Sequence, residues 1–265
     1  MPQPSTDRPY RWLAPFYDQI FSSFGPLTAA ARQKILAPVM PQVESACDLA
    51  CGSGTTALTL AREGIKMFAV DLSPDMCRLV RKKARGAGLP VRVLCADMRK
   101  FRLPKPVDLI TCEFDALNHV PHKADLLMVA KAVARATRPG GYFFFDVNTR
   151  SGFERYWSGT FWIEKPGLVM VIRNDRDLQR DRAWSNIEMF IQQGPLWRRR
   201  QQRIEEVCWS ATEIRQALRE AGFDRVRAWD AARFFKNKSV MRPGCRTFYL
   251  ARRASARKAS RQSIS

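Results

Sequence analysis

Apolar positions along this chain follow two alternating rhythms. Between about Val43 and Val147, short apolar runs rich in β-branched and aromatic residues alternate with stretches whose apolar residues recur at helical spacing, and Gly, Pro and Asp punctuate the joins. That alternation predicts repeated βα units around a parallel sheet. The first strand ends at Leu49; residues 55–63 read as a helix carrying Ala57, Leu58, Leu60 and Ala61, closed by Gly64. Residues 66–70 form the second strand. Ser73-Pro74 then sets a cap before a proline in the first turn, opening a helix through Met76, Leu79 and Val80 toward Gly86 and Gly88. Residues 91–95 and 107–112 are strands three and four. A helix over 123–137 stops at Arg138-Pro139-Gly140-Gly141, and residues 142–147 are apolar but for Asp146, as a strand covered on both faces should be.

After Asn148 the rhythm changes to extended segments at 168–174, 183–192 and 197–209, with turn signals at Asp175-Arg176-Asp177 and Gly194-Pro195, which predicts an inserted antiparallel meander. The βα rhythm resumes where Ser210 and Glu213 form a capping box ahead of Ile214, Ala217, Leu218 and Ala221. Two strands, 225–229 and 247–251, follow. Ahead of everything, residues 8–36 predict one or two helices rich in aromatics: Tyr10, Trp12, Phe16, Tyr17, Phe21 and Phe24. There is no internal repeat.

Composition narrows the class. Hydrophobic residues make up 46% and charged residues 26%, an ordinary balance that excludes wholesale disorder. No apolar run approaches the roughly 20 residues needed to cross a bilayer, and no basic start precedes an apolar core near the N-terminus, so the expected location is the cytoplasm, with no transmembrane segment. Seven cysteines, odd in number and never spaced Cys-x-x-Cys, read as small buried thiols. His119 and His122 offer two nitrogens without thiolate or carboxylate partners at ligand spacing, so no metal site is expected. The abnormal quantity is a formal charge of +20, which suits an anionic partner: RNA, an acidic lipid surface or a phosphorylated small molecule. It is concentrated in residues 252–261, in Arg78, Arg81, Lys82, Lys83 and Arg85 of one predicted helix, and in Arg198-Arg199-Arg200. A solvated face explains most such runs.

The chemistry gathers at strand ends. Gly52 and Gly54, between the first strand and its helix, let backbone N–H groups approach a ligand at a helix N-terminus. Spacing alone admits a dinucleotide, since Ala57 is a tolerated third position. Asp48, four places before Gly52, would repel a pyrophosphate and attract the ammonium of an amino-acid moiety. Asp71 ends strand two where an acid can accept from both ribose hydroxyls, and Asp97 follows strand three where it can accept an adenine amine while Met98 packs on the ring. Each acid alone reads equally well as a helix cap or loop residue. Three at successive strand ends converge on one crevice of an open α/β sheet.

With those residues in view, Asp48 to Thr55, Val70-Asp71-Leu72-Ser73-Pro74-Asp75-Met76, Ala96-Asp97-Met98, Asp108-Leu109-Ile110 and Arg138-Pro139-Gly140-Gly141 together resemble the successive motifs of class I S-adenosylmethionine-dependent methyltransferases, over roughly residues 43–148. The resemblance implies a Rossmann-like, doubly wound seven-stranded α/β sheet with an antiparallel last strand, plus N-terminal helices and an antiparallel β insertion. It implies S-adenosyl-L-methionine as cofactor, held by Asp48, Ala50, Gly52, Gly54, Asp71, Leu72, Met76, Asp97 and Met98, with Cys112 and Glu113 bordering the sulfonium and Tyr17 a further contact. On this plan residues 1–40 are a helical cap, 41–149 the cofactor-binding core, 150–209 a β-lid, 210–251 the completion of the core and 252–265 a basic disordered tail.

The acceptor is less legible. Methyl transfer needs alignment and exclusion of water more than a base. His119, just beyond strand four in Cys112-Glu113-Phe114-Asp115-Ala116-Leu117-Asn118-His119, is placed to take a proton, as is Asp115, and the stretch resembles the corresponding loop of sugar-amine and other small-molecule N-methyltransferases. A histidine that bonds the backbone at a helix entrance is the plainer account. A small-molecule acceptor, N or O and able to be anionic, is therefore expected. A nucleic-acid acceptor is the rival; against it, strand four ends in Cys112-Glu113-Phe114 rather than an Asn/Asp-Pro-Pro-aromatic run. A non-catalytic S-adenosylmethionine-binding protein is the other alternative. Phe161, Trp162, Trp184, Phe190 and Trp197 are read as candidate walls of an acceptor pocket, or as ordinary core. Oligomeric state is not legible.

Overall fold

Two N-terminal helices, α1 (Tyr17–Phe21) and α2 (Gly25–Leu36), precede the expected βα series in the computed structural model, which describes residues 10–21, 25–235 and 241–255. Phe24 and the expected tail from residue 256 onward lie outside those residues. The series runs β1 (Ser45–Leu49), α3 (Thr55–Arg62), β2 (Lys66–Asp71), α4 (Pro74–Gly86), β3 (Val91–Cys95), β4 (Val107–Cys112), α5 (Lys123–Ala136) and β5 (Thr137–Asn148). Next come α6 (Arg150–Tyr156) and four insertion strands, β6 (Gly159–Lys165), β7 (Leu168–Asp177), β8 (Arg182–Gln193) and β9 (Leu196–Val207). Helix α7 (Ala211–Glu220), β10 (Phe223–Asp230) and β11 (Arg246–Arg253) finish the chain.

The local signals act as chemistry requires. Ser73 Oγ accepts from Met76 N at the start of α4, and Ser210 and Glu213 close a full capping box on α7. The main sheet has the order β10-β11-β5-β4-β1-β2-β3, parallel except that β11 runs antiparallel to both of its neighbours. Its two faces are both covered, which is why β5 is apolar on successive residues: Phe143 and Phe145 pack in one core with α5 and α7, while Phe144 packs in the other with Ala31 and Ile35 of α2, Leu60 of α3 and Val80 of α4. The insertion is a separate four-stranded antiparallel sheet, β6-β7-β8-β9. Leu168, Met170, Ile187 and Met189 on one of its faces share a third core with Leu13 and the partly buried Tyr10, Trp12, Tyr17 and Phe21.

Several expectations shift. Strand β5 begins at Thr137, inside the predicted helix stop, because Thr137 pairs with Val107 before Tyr142 pairs with Leu109 and residues 138–141 bulge between them. Gly141 is required there: an added Cβ would stand 2.8 Å from the Asp108 carbonyl oxygen. Strand β7 continues through the expected Asp175-Arg176-Asp177 turn, since Asp177 pairs with Arg182 and its carboxylate accepts from Gln179 N and Arg180 N in the true turn. Helix α6 and strand β6 fall between Asn148 and Leu168, where the sequence predicts no element. Strand β11 runs to Arg253, two residues into the stretch expected as tail. Of the cysteines, Cys95 is exposed and Cys51 half-buried; the other five are buried, and all seven are free.

Candidate active site

The C-terminal ends of β1, β2, β3 and β4 open into one cavity of about 510 Å³, covered by the N-terminal tyrosines and by β9. At its floor the loop after β1 alternates left-handed residues: Ala50 (φ 54°), Gly52 (φ 52°) and Gly54 (φ 81°). Gly54 serves two needs. Its φ disfavours a side chain, and a Cβ would stand 2.8 Å and 2.9 Å from the Val80 methyls, so glycine lets the loop sit against α4. Gly54 faces that helix and does not line the cavity, whereas Ala50 and Gly52 do.

Asp71 is placed as expected, on the cavity wall at the end of β2. Its Oδ2 accepts from Gly52 N (2.9 Å) and its Oδ1 from Ser73 N (2.8 Å), which fixes both oxygens while leaving further lone pairs toward the cavity. Burial raises its pKa against these bonds. Leu72, Met76, Asp97 and Met98 also line the cavity, Leu72 more than half exposed. Asp97 is less free than expected: Arg99 Nε lies 3.0 Å from each of its oxygens and Nη2 2.6 Å from Oδ2, and this hydrogen bonding holds its pKa down.

Asp48 has a different setting from the one expected. It is 3% exposed beneath the loop, its Oδ2 accepting from Ala57 N (3.1 Å) and its Oδ1 from the Thr111 hydroxyl (2.9 Å). It thus caps α3 from below and ties β1 to β4, away from the cavity, and burial, with Glu113 nearby, pushes its pKa up to about 7. Cys112 is likewise corrected: strand alternation turns it into the core, and Glu113, the next residue, borders the cavity. Glu113 is held by Arg32 Nη1 at 2.9 and 3.0 Å and by the Thr56 hydroxyl at 3.1 Å, all three residues buried. Burial raises the Glu113 pKa despite this pairing.

The opposite end of the cavity is formed by the 3₁₀ turn Ala116–His119 and by Gln202 to Glu205 of β9. His119 lines it, with Nε2 3.4 Å from the Tyr10 hydroxyl and Nδ1 3.4 Å from the Glu205 carbonyl oxygen. Tyr17 lines it too, its ring 3.7 Å from where a Gly52 Cβ would stand. Asp115 stands just behind the wall, bound by Arg246 Nη2, while Arg246 Nη1 binds the fully buried Asp146. Asp146 in turn accepts from Phe114 N (2.8 Å) and Asp115 N (3.1 Å), and burial pushes its pKa up to about 6. These bonds hold Phe114 (φ 60°) and Asp115 (φ 51°) in left-handed backbone, a strained pair at the cavity edge.

His119 is also less isolated than its sequence neighbours suggest, because the fold brings Glu206 beside Asp115 and His119; one potential ligand atom from each lies within 4.8 Å of the others. The lid aromatics do not wall the cavity: Phe161, Trp162 and Trp197 are exposed. Much of the charge is engaged on the protein itself. Lys83 reaches Ser53 O at 3.0 Å and also pairs with Asp18, Arg81 donates to Val93 O at 3.1 Å, Arg199 pairs with Glu188, and the Arg200 guanidinium lies 4.2 Å from the Trp12 ring centroid. Sequence reading missed Arg32, Tyr10, Arg99, Glu206 and Arg246. Asp146 alone left a local signal, as the one acid in the apolar run Phe143-Phe144-Phe145-Asp146-Val147.

Comparison with known proteins accords with this arrangement. Residues 46–141 match the family model described as a methyltransferase domain. The chain is 24% identical over 218 residues to the putative methyltransferase YqeM of Bacillus subtilis, covering 81% of this chain and 86% of that one. Over shorter stretches it resembles ubiquinone biosynthesis O-methyltransferases, for example 31% identity over 144 residues in Methylococcus capsulatus, where it spans 58% of that protein's length and 54% of its own. A crystal structure of an S-adenosylmethionine-dependent methyltransferase from Clostridium acetobutylicum superposes with a TM-score of 0.75 at 23% identity, covering 94% of this chain and all of that one. The sugar N-methyltransferase KedS8 from a Streptoalloteichus species gives a TM-score of 0.72 at 19% identity, with 96% of each chain covered. Among the described residues no helix is long and apolar enough to cross a membrane.

Proposed function

We propose that this chain, a class I S-adenosylmethionine-dependent methyltransferase, transfers the methyl group to a nitrogen or oxygen of a small molecule held between His119 and β9. The observation that carries the reading is that one cavity of about 510 Å³ joins the Asp71 end to the His119 end, within the range typical of small-molecule sites. The residues suit the cofactor. Asp71 offers lone pairs to a ribose diol, Leu72 and Met98 offer apolar faces to an adenine, and the backbone of Ala50 and Gly52 leaves room for a methionine chain. Glu113, neutralised by Arg32, supports that loop instead of adding a bare charge to it.

When bound, S-adenosylmethionine supplies a methyl group on a positively charged sulfur, already activated for displacement. What the chain adds is alignment and exclusion of water: Tyr17 covers Gly52 at the donor end, Tyr10 and His119 close the acceptor end, and β9 forms the roof. His119 faces the acceptor from the cavity wall, and Asp115, bound to Arg246, orients the turn that carries it. The acids around that turn weigh against the anionic acceptor that net charge suggests. The neighbour named as a sugar N-methyltransferase supports the small-molecule class. The test is incubation with methyl-labelled S-adenosylmethionine and a metabolite extract, with and without RNase, followed by mass spectrometry. Label in a small molecule is expected; label confined to RNA overturns the reading, and cofactor binding without any transfer would make the protein a sensor.

A further inference from the structure

At the acceptor end of the cavity His119 lines the wall, and two carboxylates from separate parts of the chain, Asp115 and Glu206, stand directly behind it. Asp115 follows β4, His119 ends the 3₁₀ turn, and Glu206 comes from β9; their ligand atoms lie within 4.8 Å of one another, and no hydrogen bond joins any two of them. That spacing suits a small cation seated among them. Glu206 is 5% exposed, and among the described residues it accepts one hydrogen bond, from Asn148 Nδ2 at 3.4 Å. A buried carboxylate this thinly satisfied calls for a counter-charge. Arg246 acts on it at a distance but does not bond it: its two Nη atoms bind Asp115 and Asp146, and its buried Nε has no hydrogen-bond partner among the described residues. Burial, then the nearby Asp115, raises the Glu206 carboxyl well above its ordinary range, as expected where positive charge is short.

The geometry points to an ammonium site: resting on the small-molecule reading above, we infer that the acceptor is an amine arriving as a cation, seated among Asp115, His119 and Glu206, with Glu206 taking its proton. In the transfer, the N–H bond breaks first and its proton passes to the Glu206 carboxylate. The freed lone pair forms the N–C bond as the C–S bond breaks, and that electron pair returns to sulfur, giving S-adenosylhomocysteine. The groups facing Glu206 are Asp115 from the β4 loop, His119 from the turn, Tyr10 from the N-terminus, Asn148 from β5 and Arg246 from β11. A divalent metal ion fits the same donors less well, because the Arg246 guanidinium already lies on Asp115 and repels a second positive charge more strongly than it repels a single one.

The test uses the full chain saturated with S-adenosylhomocysteine and titrated calorimetrically with cyclohexylamine and its uncharged isostere cyclohexanol. The amine is expected to bind at least about tenfold more tightly than the alcohol, a difference of roughly 1.4 kcal/mol. Glu206→Gln should remove most of that preference while leaving S-adenosylhomocysteine affinity unchanged, and His119→Gln should weaken it less. As pH falls, Glu206 takes a proton in the amine-free protein, so amine affinity drops in the wild type and loses this dependence in Glu206→Gln; a purely structural Glu206 would not impose that difference. Failure to bind S-adenosylhomocysteine would refute the methyltransferase reading itself. Binding of S-adenosylhomocysteine with equal amine affinity in wild type and Glu206→Gln refutes the ammonium site alone. Tight Mn²⁺ binding that is lost in Glu206→Gln and not displaced by the amine overturns it in favour of a metal centre.

Discussion

Arg32→Met removes the only cation bonded to Glu113 among the described residues and tests how the glycine loop is supported. Arg32 and Glu113 are each 5% exposed, and Arg32 Nη1 lies 2.9 and 3.0 Å from the two carboxylate oxygens and 2.9 Å from the Thr56 hydroxyl. Methionine keeps most of the apolar stem but strands the carboxylate, and breaking a buried pair from one side costs about 3–5 kcal/mol. At about 2–4 °C per kcal/mol for a chain of this size, the melting temperature should fall by roughly 10 °C. The sign of the pH dependence is fixed. Burial already raises the Glu113 pKa, and loss of Arg32 raises it further, so protonation relieves the stranded charge and the deficit shrinks as pH falls. The double variant Arg32→Met/Glu113→Gln should regain most of the loss, because no net charge remains buried. Differential scanning calorimetry across pH 5–8 measures all three proteins. A single variant melting within about 1 °C of wild type, or a deficit that widens on acidification, would refute the argument.

Asp48 carries a second pH signature. Its native pKa of about 7 lies above its ordinary value of 3.8, so the folded state holds this proton more tightly than the unfolded chain and stability falls as pH rises from about 4 to about 7. Asp48→Asn should flatten that part of the denaturation profile in urea. Asp71→Asn keeps the shape of the side chain but loses a charged acceptor that binds Gly52 N and Ser73 N, so S-adenosylmethionine affinity should fall about 10–100-fold in a calorimetric titration, with no such fall in Asp75→Asn. Gly54→Ala forces a methyl to within 2.8 Å of Val80 at φ 81°; a loss of about 1–3 kcal/mol in urea unfolding is expected, and unchanged stability would mean that the loop is not held against α4.

The sheet was legible because its signals are local: Ser73 before Pro74, Ser210 with Glu213, and apolar runs ending at acids each declare an element without reference to the rest of the chain. That Gly52, Asp71 and Asp97 would line one cavity was legible for the same reason, since they lie next to strand ends that the periodicity had already placed. Asp48 was misread because its position in the motif does not reveal which way the side chain turns, and here it turns under α3 toward Thr111. The arrangement around His119 was not legible, because its partners are distant in sequence. Nothing near Asp115 announces Arg246, and nothing near His119 announces Glu206. Helix α6 depends on a tertiary fit: Gly152 packs so closely on the Cys245 carbonyl oxygen that an added Cβ would stand 2.2 Å from it, a constraint invisible in residues 150–156 alone.

The third core, in which the N-terminal aromatics and the lid sheet pack together, has a consequence for the timing of turnover. Tyr17 sits on the donor loop and Tyr10 on His119, and both belong to a segment anchored in the apolar face of β7 and β8. On the proposed reading, donor and acceptor would share one mouth, bordered by that segment and β9. Such an arrangement predicts loading in a fixed sequence, donor before acceptor, which product-inhibition kinetics would check.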